Sequence, residues 1–232
     1  MSLHPLSVKL PDGFANIVRL FPLPNFVMFP GVVQPLRVFE PRYCEMLRDA
    51  LAGDQLIAMA LLQPGWEADY EARPPINEVV CIGSVVAHSP QDDGSHNILL
   101  RGIRRARISR ELTAESAFRQ AEITVIDDYF DPHGAQRRPG LIAELNACFC
   151  RYAAAKGISP ALLEDLHNDE IPLGMLTDVI AFATSIDPMF NQFLLTETNV
   201  DCRARLLIQR MSEELSLSSA TTQAFPPEFS LN

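Results

Sequence analysis

The chain has little of the chemistry that marks nucleotide-dependent enzymes. Only two of its 19 basic residues are lysines, Lys9 and Lys156, and neither follows a glycine, so the Gly-Lys element of a phosphate-binding P-loop is absent. No G-x-G-x-x-G turn occurs for a dinucleotide, and no G-x-S-x-G elbow presents a serine nucleophile. Lys156 lies near Ser159, but in "KGISP" the serine is better placed as a helix cap. These absences exclude a P-loop ATPase and leave no motif for a serine hydrolase.

Metal-ligating residues are few and scattered. The five cysteines and five histidines show no C-x-x-C or H-x-x-x-H spacing. Cys148 and Cys150 come closest, but side chains at positions i and i+2 of a helix point about 200° apart, so a buried apolar role is favoured. A cysteine and histidine that meet only in the fold stay open. We therefore predict no catalytic residue, no metal site and no cofactor.

Long hydrophobic runs are also absent. Nothing approaches the ~18 uninterrupted apolar residues that a transmembrane helix needs. The first residues, "MSLHPLSVKLPDGF", lack the charged-then-apolar layout of a secretory signal, and an odd number of scattered cysteines argues against a disulfide framework. The sequence therefore predicts a cytoplasmic protein with reduced thiols and no membrane partner.

Positive charge is concentrated in one place. The formal net charge of −10 disfavours binding to phosphate backbones or anionic membranes. The basic cluster of this acidic chain is Arg101–Arg110, "RGIRRARISR". As a strand it places Arg105 and Arg107 on one face and Arg104 on the other. The favoured interpretation is a solvated edge strand that charge protects against sheet association. The alternative is a patch for an anionic ligand formed by Arg104, Arg105 and Arg107.

The first half of the chain has the pattern of a β-rich domain. From Ile17 to Asp127, short β-rich runs alternate with turn signals, which predicts a compact, mostly antiparallel sheet or barrel. "SPQDDGSH" predicts a hairpin, because Gly94 can adopt positive φ. One helix interrupts the strands: in "EPRYCEMLRDALAGD" apolar residues recur at helical spacing, with Pro41 in the first turn and Gly53 at the C-terminal cap.

The second half has a helical period. Ser159, Asp187 and Asn199 are the expected starts of three of its helices. Strands followed by helices predict a segregated α+β architecture. The helical segments are "LIAELNACFCRYAAAKG", "SPALLEDLH", "IPLGMLTDVIAFATSI", "DPMFNQFLLTE" and "NVDCRARLLIQRMSEEL". The predicted division is an N-terminal extension (1–16), a β-barrel subdomain (17–128), a linker (129–140), a helical bundle subdomain (141–217) and a flexible C-terminal tail (218–232).

Three motifs occur in order along most of the chain. "LFPLPNFVMFPGVVQPLRVFEPRY" (20–43) combines a leading P-L-P, an F-P-G-x-x-x-P-L turn and an F-E-P-R-Y helix start. "VCIGSVVAHSPQDDGSHNILLRGIRRARI" (80–108) carries an I-G hairpin and a G-x-x-R-x-x-I return strand. The stretch 176–215 contains the pattern Q-x-L-L-x-x-x-x-V-x-x-R. In these motifs, over roughly Ile17 to Leu215, the chain resembles the LON domain, the N-terminal substrate-binding domain of Lon proteases, which also occurs as a stand-alone bacterial protein.

The resemblance implies both a fold and a function. The fold is a PUA-like antiparallel β-barrel with one inserted helix, followed by an all-α helical bundle subdomain. The function is recognition without cleavage, because the motifs of the ATPase and Ser-Lys peptidase domains are absent and no room remains for them after Leu215. The expected partners are unfolded or degron-bearing polypeptide substrates, or a protease or chaperone on which the chain docks. An RNA-binding PUA-like module that uses Arg101–Arg110 is the less favoured alternative, and an oligomer stays open.

A surface that binds unfolded polypeptide must expose apolar side chains, because such segments offer mainly hydrophobic side chains and backbone amides. The candidates are Phe26 and Phe29 in the proline-rich first motif, with Trp66 and Tyr70 in the loop "QPGWEADYEARPP". Packing against the barrel is favoured over ligand contact for Phe29, and the two roles are nearly balanced for Trp66.

Overall fold

The structure is a computed structural model that describes residues 10–69, 72–113, 116–159, 171–184 and 186–223. These residues fall into two compact units. The barrel unit comprises the described parts of Leu3–Tyr129 and Asp178–Thr198, and the helical unit comprises those of Phe130–Thr177 and Asn199–Asn232. Residues 178–198, which the sequence assigns to the bundle, therefore group with the strands.

A six-stranded sheet forms the barrel unit. The strands are β1 (Ile17–Leu23), β2 (Val33–Val38), β3 (Leu56–Leu61), β4 (Val79–Pro90), β5 (His96–Glu111) and β6 (Arg119–Ile126). β5 pairs with β2 through its first half, with β6 through its second half and with β4 along most of its length. Because β6 also pairs with β1, the strands β1, β3, β4, β5 and β6 close into a barrel, and β2 is added at an edge. The pairing is antiparallel except between β1 and β3, where the long connection returns the chain in the same direction.

Helices complete both units. The barrel unit contains α1 (Pro41–Ala52), the 3-10 helix Trp66–Asp69 and α4 (Pro188–Thr196), and the helical unit contains the 3-10 helix Pro132–Arg137, α2 (Arg138–Lys156) and α5 (Val200–Gln223). The division between the units falls inside α3 (Leu173–Thr184), after Thr177. The predicted α+β fold is confirmed: within the described residues the barrel is closed, one α-helix, α1, is inserted among the strands, and further helices follow them. None of the described helices has the length and hydrophobicity that crossing a bilayer requires.

The inserted helix α1 begins and ends where its sequence predicts. Pro41 lies in its first turn, and the N–H of Gly53 donates to Ala50 O at 3.1 Å at its end. Arg19 of β1 forms ion pairs with Asp49 and Asp54 and so ties the end of α1 to the sheet. The buried stripe of this helix consists of Tyr43, Met46, Leu47 and Ala50.

The barrel interior is a continuous apolar core. Alternate residues of each strand point inward, as the two-residue period of a strand requires. Ile103, Ile108 and Trp66 pack against this core from partly exposed positions. Its buried members are Val18, Leu20, Leu56, Ala58, Ala60, Leu62, Ile76, Val80, Ile82, Ala106, Ala121 and Ile123.

The sequence predicts two strands, "HNILLRGI" and "RRARISREL", where the structure has the single strand β5. Gly102, in the middle, marks a close approach and not a turn: a Cβ built there would lie 2.1 Å from the carbonyl oxygen of Phe29. The N–H of Gly102 donates to Val32 O at 2.8 Å, and Gly31 N–H donates to Gly102 O at 2.9 Å. The pairing with β4 shifts at this point, between Ile82 and Gly83, so β5 is irregular but unbroken.

The prediction of a solvated edge strand over Arg101–Arg110 is wrong. β5 pairs with β4 up to Arg107 and with β6 from Arg105 onward, so both strands flank it at residues 105–107. Its exposed arginines have carboxylate partners, Arg107 with Glu78 and Arg110 with Glu122. The free edge belongs to β2, where Pro35 has no N–H to offer another strand.

The helix starts and stops after residue 129 follow local signals. The side chains of Asp187 and Asn199 accept hydrogen bonds from N–H groups in the first turns of α4 and α5, as predicted. Gly157 ends α2 with φ 69°. The stretch predicted as a linker contains the 3-10 helix Pro132–Arg137 and the start of α2, because Asp131 accepts from His133 N–H.

The predicted flexible tail from 218 needs correction at its start. α5 continues through Gln223, and the sequence gives the physical reason, since no glycine or proline occurs between residue 200 and Pro226. The predicted helix "SPALLEDLH", apart from Ser159, and the residues 1–9 and 224–232 lie outside the described residues.

Candidate functional site

Two of the five cysteines, Cys81 and Cys148, are buried in the packed interior. Cys81 is fully buried, and burial raises the pKa of its thiol, which therefore stays protonated. Cys148 is buried in the helical unit, as predicted, with its Sγ 3.7 Å from Ile208 O, while Cys150 is half-buried. Within the described ranges, no group of three or more His, Cys, Asp and Glu side chains is arranged to hold a metal ion.

Arg105 does not belong to a surface patch. Its guanidinium is buried and forms two hydrogen bonds with the carboxylate of Asp178 on α3, while its Nε donates to Leu195 O of α4 at 3.0 Å. Burial by itself lowers the pKa of Arg105, but the charge and hydrogen bonds of Asp178 more than compensate and hold it above the usual value. Arg105 therefore attaches two helices to the barrel and is not accessible to an anionic ligand.

The other two arginines of the proposed anionic patch lie at the surface but have acidic neighbours. Arg107 forms an ion pair with Glu78 at 3.1 Å, and Arg104 lies 3.6 Å from Asp127. The carboxylates offset the charge that a phosphate group requires.

The aromatic candidates have different positions. Phe29 is completely buried, so the packing role is the one it has and ligand contact is not available to it. Trp66 is half-buried and packs against the barrel core. Tyr70 lies outside the described residues. Phe26 is half-buried and lines a cavity.

This cavity, called the groove below, has a volume of about 250 Å³ and lies within the barrel unit. The loop after β1, the strand β2 and the helices α3 and α4 supply its walls. None of the described residues that line it is ionisable. Besides Val27, they are Asn25, Phe26, Gln34, Phe182, Pro188 and Asn191.

One wall of the groove is set by a turn. β1 ends at Leu23, and Asn25 then adopts φ 55°, a left-handed conformation that asparagine tolerates better than most residues. The chain reverses there and presents Phe26 to Phe182, with ring centroids 6.2 Å apart and planes at 87°. This edge-on contact holds both rings in place while part of Phe26 stays accessible.

The opposite wall is held by contacts of α4 with the barrel. Asp187 caps the helix by accepting from Phe190 N–H at 2.9 Å. Gln192 then donates from Nε2 to Val79 O at 2.8 Å, and Leu195 O accepts from Arg105. These contacts link residues 113 and 90 positions apart, and they fix the wall relative to the strands.

Asn191 is the residue of this wall that sequence reasoning missed. It lies on the groove and is only 7% exposed, yet its Oδ1 has no hydrogen-bond partner among the described residues. A signal was available in the sequence, because Asn191 and Gln192 are two adjacent amides within an otherwise apolar helix. Both are buried, and a buried amide needs an explanation.

The outer face of α4 carries a second apolar feature. Met189 and Phe193 are about half exposed and lie one helical turn apart. At 100° per residue they point away from the side of the helix that carries Pro188 and Asn191. They are therefore separate from the groove.

The sequence model of the family described as the ATP-dependent protease La (LON) substrate-binding domain matches residues 17–213. The chain belongs to this family. The resemblance inferred from the three motifs is confirmed.

Among its relatives, Lon protease 2 of Myxococcus xanthus is 24% identical over 225 residues, which cover 94% of this chain and 26% of that protein. The Lon protease of Dictyoglomus thermophilum is 25% identical over 204 residues, which cover 87% and 25%. This LON domain chain thus spans about a quarter of the length of the curated relatives it matches.

Solved structures agree on the fold. The N-terminal domain of a Mycobacterium avium complex Lon protease is similar with a TM-score of 0.65 and 19% identity, covering 84% of this chain and 98% of that one. The Lon N-terminal domain protein from Xanthomonas campestris gives a TM-score of 0.58 and 21% identity, covering 83% and 97%.

Proposed function

We propose that this LON domain is a non-catalytic polypeptide-recognition module that binds unfolded or degron-bearing segments in the groove. The observation that carries the proposal is the uncharged cavity beside Phe26 and Phe182. Its family is described by substrate binding, and the protease activity of the longer relatives is not transferred to this chain.

The size of the groove favours side chains over whole ligands. A volume of about 250 Å³ is below the range of sites that enclose a drug-sized molecule or cofactor. It has room for one large side chain of an extended segment, which would contact the rings of Phe26 and Phe182 beside the amides of Asn25, Gln34 and Asn191.

The electrical neutrality of the groove favours the same class of ligand. The chain has a net charge of −10, but among the residues that the structure describes no ionisable side chain lines the cavity. A charged group entering it loses water without gaining a countercharge. A neutral backbone can hydrogen-bond to the lining amides, and an apolar side chain can pack on the rings of Phe26 and Phe182. Unfolded polypeptide offers both of these groups.

The test is fluorescence anisotropy with a labelled, permanently unfolded polypeptide such as reduced and carboxymethylated α-lactalbumin. We expect saturable binding by the wild type, and a dissociation constant about tenfold higher for Phe26→Ala or Phe182→Ala, which remove anchoring rings. The matched control is Phe193→Ala, an aromatic of the same unit that points away from the groove. It is expected to change affinity by less than about twofold.

The outcomes separate the parts of the proposal. Absence of binding by the wild type contradicts polypeptide recognition altogether. Loss of binding in Phe193→Ala, with Phe26→Ala unaffected, assigns recognition to the outer face of α4. Docking on a folded protease or chaperone is the other form of the function. It predicts a cross-linked complex in lysate that an excess of unfolded polypeptide does not displace.

A further inference from the structure

The side-chain amide of Asn191 on α4 has one buried end and one accessible end. Its Oδ1 is buried and has no hydrogen-bond partner within the described residues. Its Nδ2 makes no hydrogen bond there either, but this nitrogen is the polar side-chain atom of Asn191 that solvent reaches. Asn191 is only 7% exposed and lines the groove, so the groove is the side from which Nδ2 is accessible. Asn191 therefore offers a hydrogen-bond donor to whatever occupies the groove.

The position of this donor is fixed by its helix. The backbone N–H of Asn191 donates to Asp187 O at 2.9 Å in the first turn of α4. The next residue, Gln192, donates from Nε2 to Val79 O at 2.8 Å and so ties the helix to the strands. A donor held in this way loses little conformational freedom when a ligand binds, so more of the hydrogen-bond energy remains for affinity.

The surroundings of Asn191 restrict which acceptor fits. Water reaches Nδ2 in the free protein, and a ligand that displaces this water without accepting a hydrogen bond loses affinity. A carboxylate or phosphate accepts strongly but finds no countercharge among the described residues that line the groove. A neutral carbonyl has no such requirement, and every residue of a polypeptide, proline included, carries one on its backbone. In a folded protein most of these carbonyls are already bonded, whereas an extended or unfolded segment has them free.

We propose that Asn191 Nδ2 donates a hydrogen bond to one backbone carbonyl oxygen of a bound polypeptide segment while an apolar side chain of that segment contacts Phe26. This rests on the proposed function and adds a specificity determinant to it. Because the bonded group is a backbone carbonyl, recognition at that position is independent of the side chain and tolerates proline. Asn191 contacts the backbone of the ligand, and Phe26 anchors one of its side chains.

The experiment is a thioamide scan by NMR, which measures weak binding. The probe is the peptide acetyl-Gly-Ser-Phe-Ser-Gly-amide, with analogues in which one carbonyl oxygen at a time is replaced by sulfur, a weaker acceptor. For the wild type we expect one analogue to bind about threefold to tenfold more weakly than the parent peptide, with the others nearly unchanged. In Asn191→Leu, which has the same number of side-chain heavy atoms but no donor, the parent peptide and that analogue should bind with equal affinity.

The NH2 group of Asn191 also reports on the contact directly. In proton–nitrogen correlation spectra we expect one of its proton signals to move downfield when the parent peptide is added, and to move less with the sensitive thioamide. A second groove amide provides the matched control, because Gln34 also lines the groove but its Nε2 already donates to Pro35 O at 3.1 Å. Gln34→Leu should therefore keep both the difference in affinity and the response of the Asn191 signal.

Failure of this inference is distinguishable from failure of the proposed function. If the parent peptide binds but the thioamide scan of the wild type is flat, or the Asn191 NH2 signal does not move, the role of Asn191 is overturned and polypeptide recognition stands. The role of Asn191 is likewise overturned if Asn191→Leu keeps the sensitivity to the thioamide. If the parent peptide does not bind, both proposals are overturned. The wild-type scan and the NH2 signal decide the matter even if Asn191→Leu does not fold.

Discussion

Arg105 illustrates how one residue connects the barrel to the site. Its guanidinium and the Asp178 carboxylate are both almost inaccessible to water. Removing two charges from water is unfavourable, and their attraction and hydrogen bonds offset that cost only while both partners are present. Sequence alone does not distinguish Arg105 from Arg104 and Arg107, because the partner that buries it comes 73 residues later.

Replacing Asp178 with asparagine is expected to destabilise the protein by about 3 to 5 kcal/mol, because it leaves the Arg105 charge buried without its main partner. Urea-induced equilibrium unfolding measures the change. Glu78→Gln is the matched control, since Glu78 pairs with the exposed Arg107. That variant should cost no more than about 0.5 kcal/mol. Equal losses in the two variants would contradict the structural role assigned to Arg105.

At the scale of elements, the helical unit is held by contacts between α2 and α5. The Tyr152 hydroxyl donates to Glu214 at 3.0 Å, and Lys156 Nζ lies 3.3 Å from the same carboxylate. Burial, followed by the hydrogen bond to Glu214, raises the pKa of Tyr152 to about 12. The helices themselves follow from periodicity and caps in the sequence, but which side chains meet between them depends on how the helices pack.

The raised pKa of Tyr152 predicts a loss of stability in alkali. The neutral phenol is favoured in the folded state, so its contribution is fully present below the unfolded pKa of about 10 and is lost as the pH rises toward 12. Unfolding free energies measured at about pH 8 and about pH 11 should therefore differ more for the wild type than for Tyr152→Phe. An identical pH dependence in both proteins would show that Tyr152 does not titrate in this way.

At the scale of the whole molecule, the charge distribution disfavours the RNA-binding alternative. Acidic residues outnumber basic ones by 29 to 19. Within the described residues, the arginines of β5 at 104, 105, 107 and 110 each lie within 3.6 Å of a carboxylate oxygen. Phosphate binding needs cations that are free to replace counterions, and these are already neutralised.

We therefore expect no saturable binding of a labelled single-stranded RNA at about 0.15 M salt. Electrophoretic mobility shift is a sufficient measurement, with the variant Arg104→Ala/Arg107→Ala beside the wild type. A complex that weakens steeply with salt and is lost in the double variant would reverse the assignment and favour the anionic patch.

The sequence by itself determined the features that depend on neighbouring residues. The helix α1, the caps at Asp187 and Asn199 and the turn at Gly94 follow from φ preferences, capping and periodicity, and the ordered motifs were enough to indicate the family. Only the tertiary structure decided that β5 is one interior strand and that the groove joins Phe26 to Phe182 and Asn191. The physical reason is that burial and hydrogen-bond pairing depend on contacts between segments far apart in the chain. No local sequence pattern encodes those contacts.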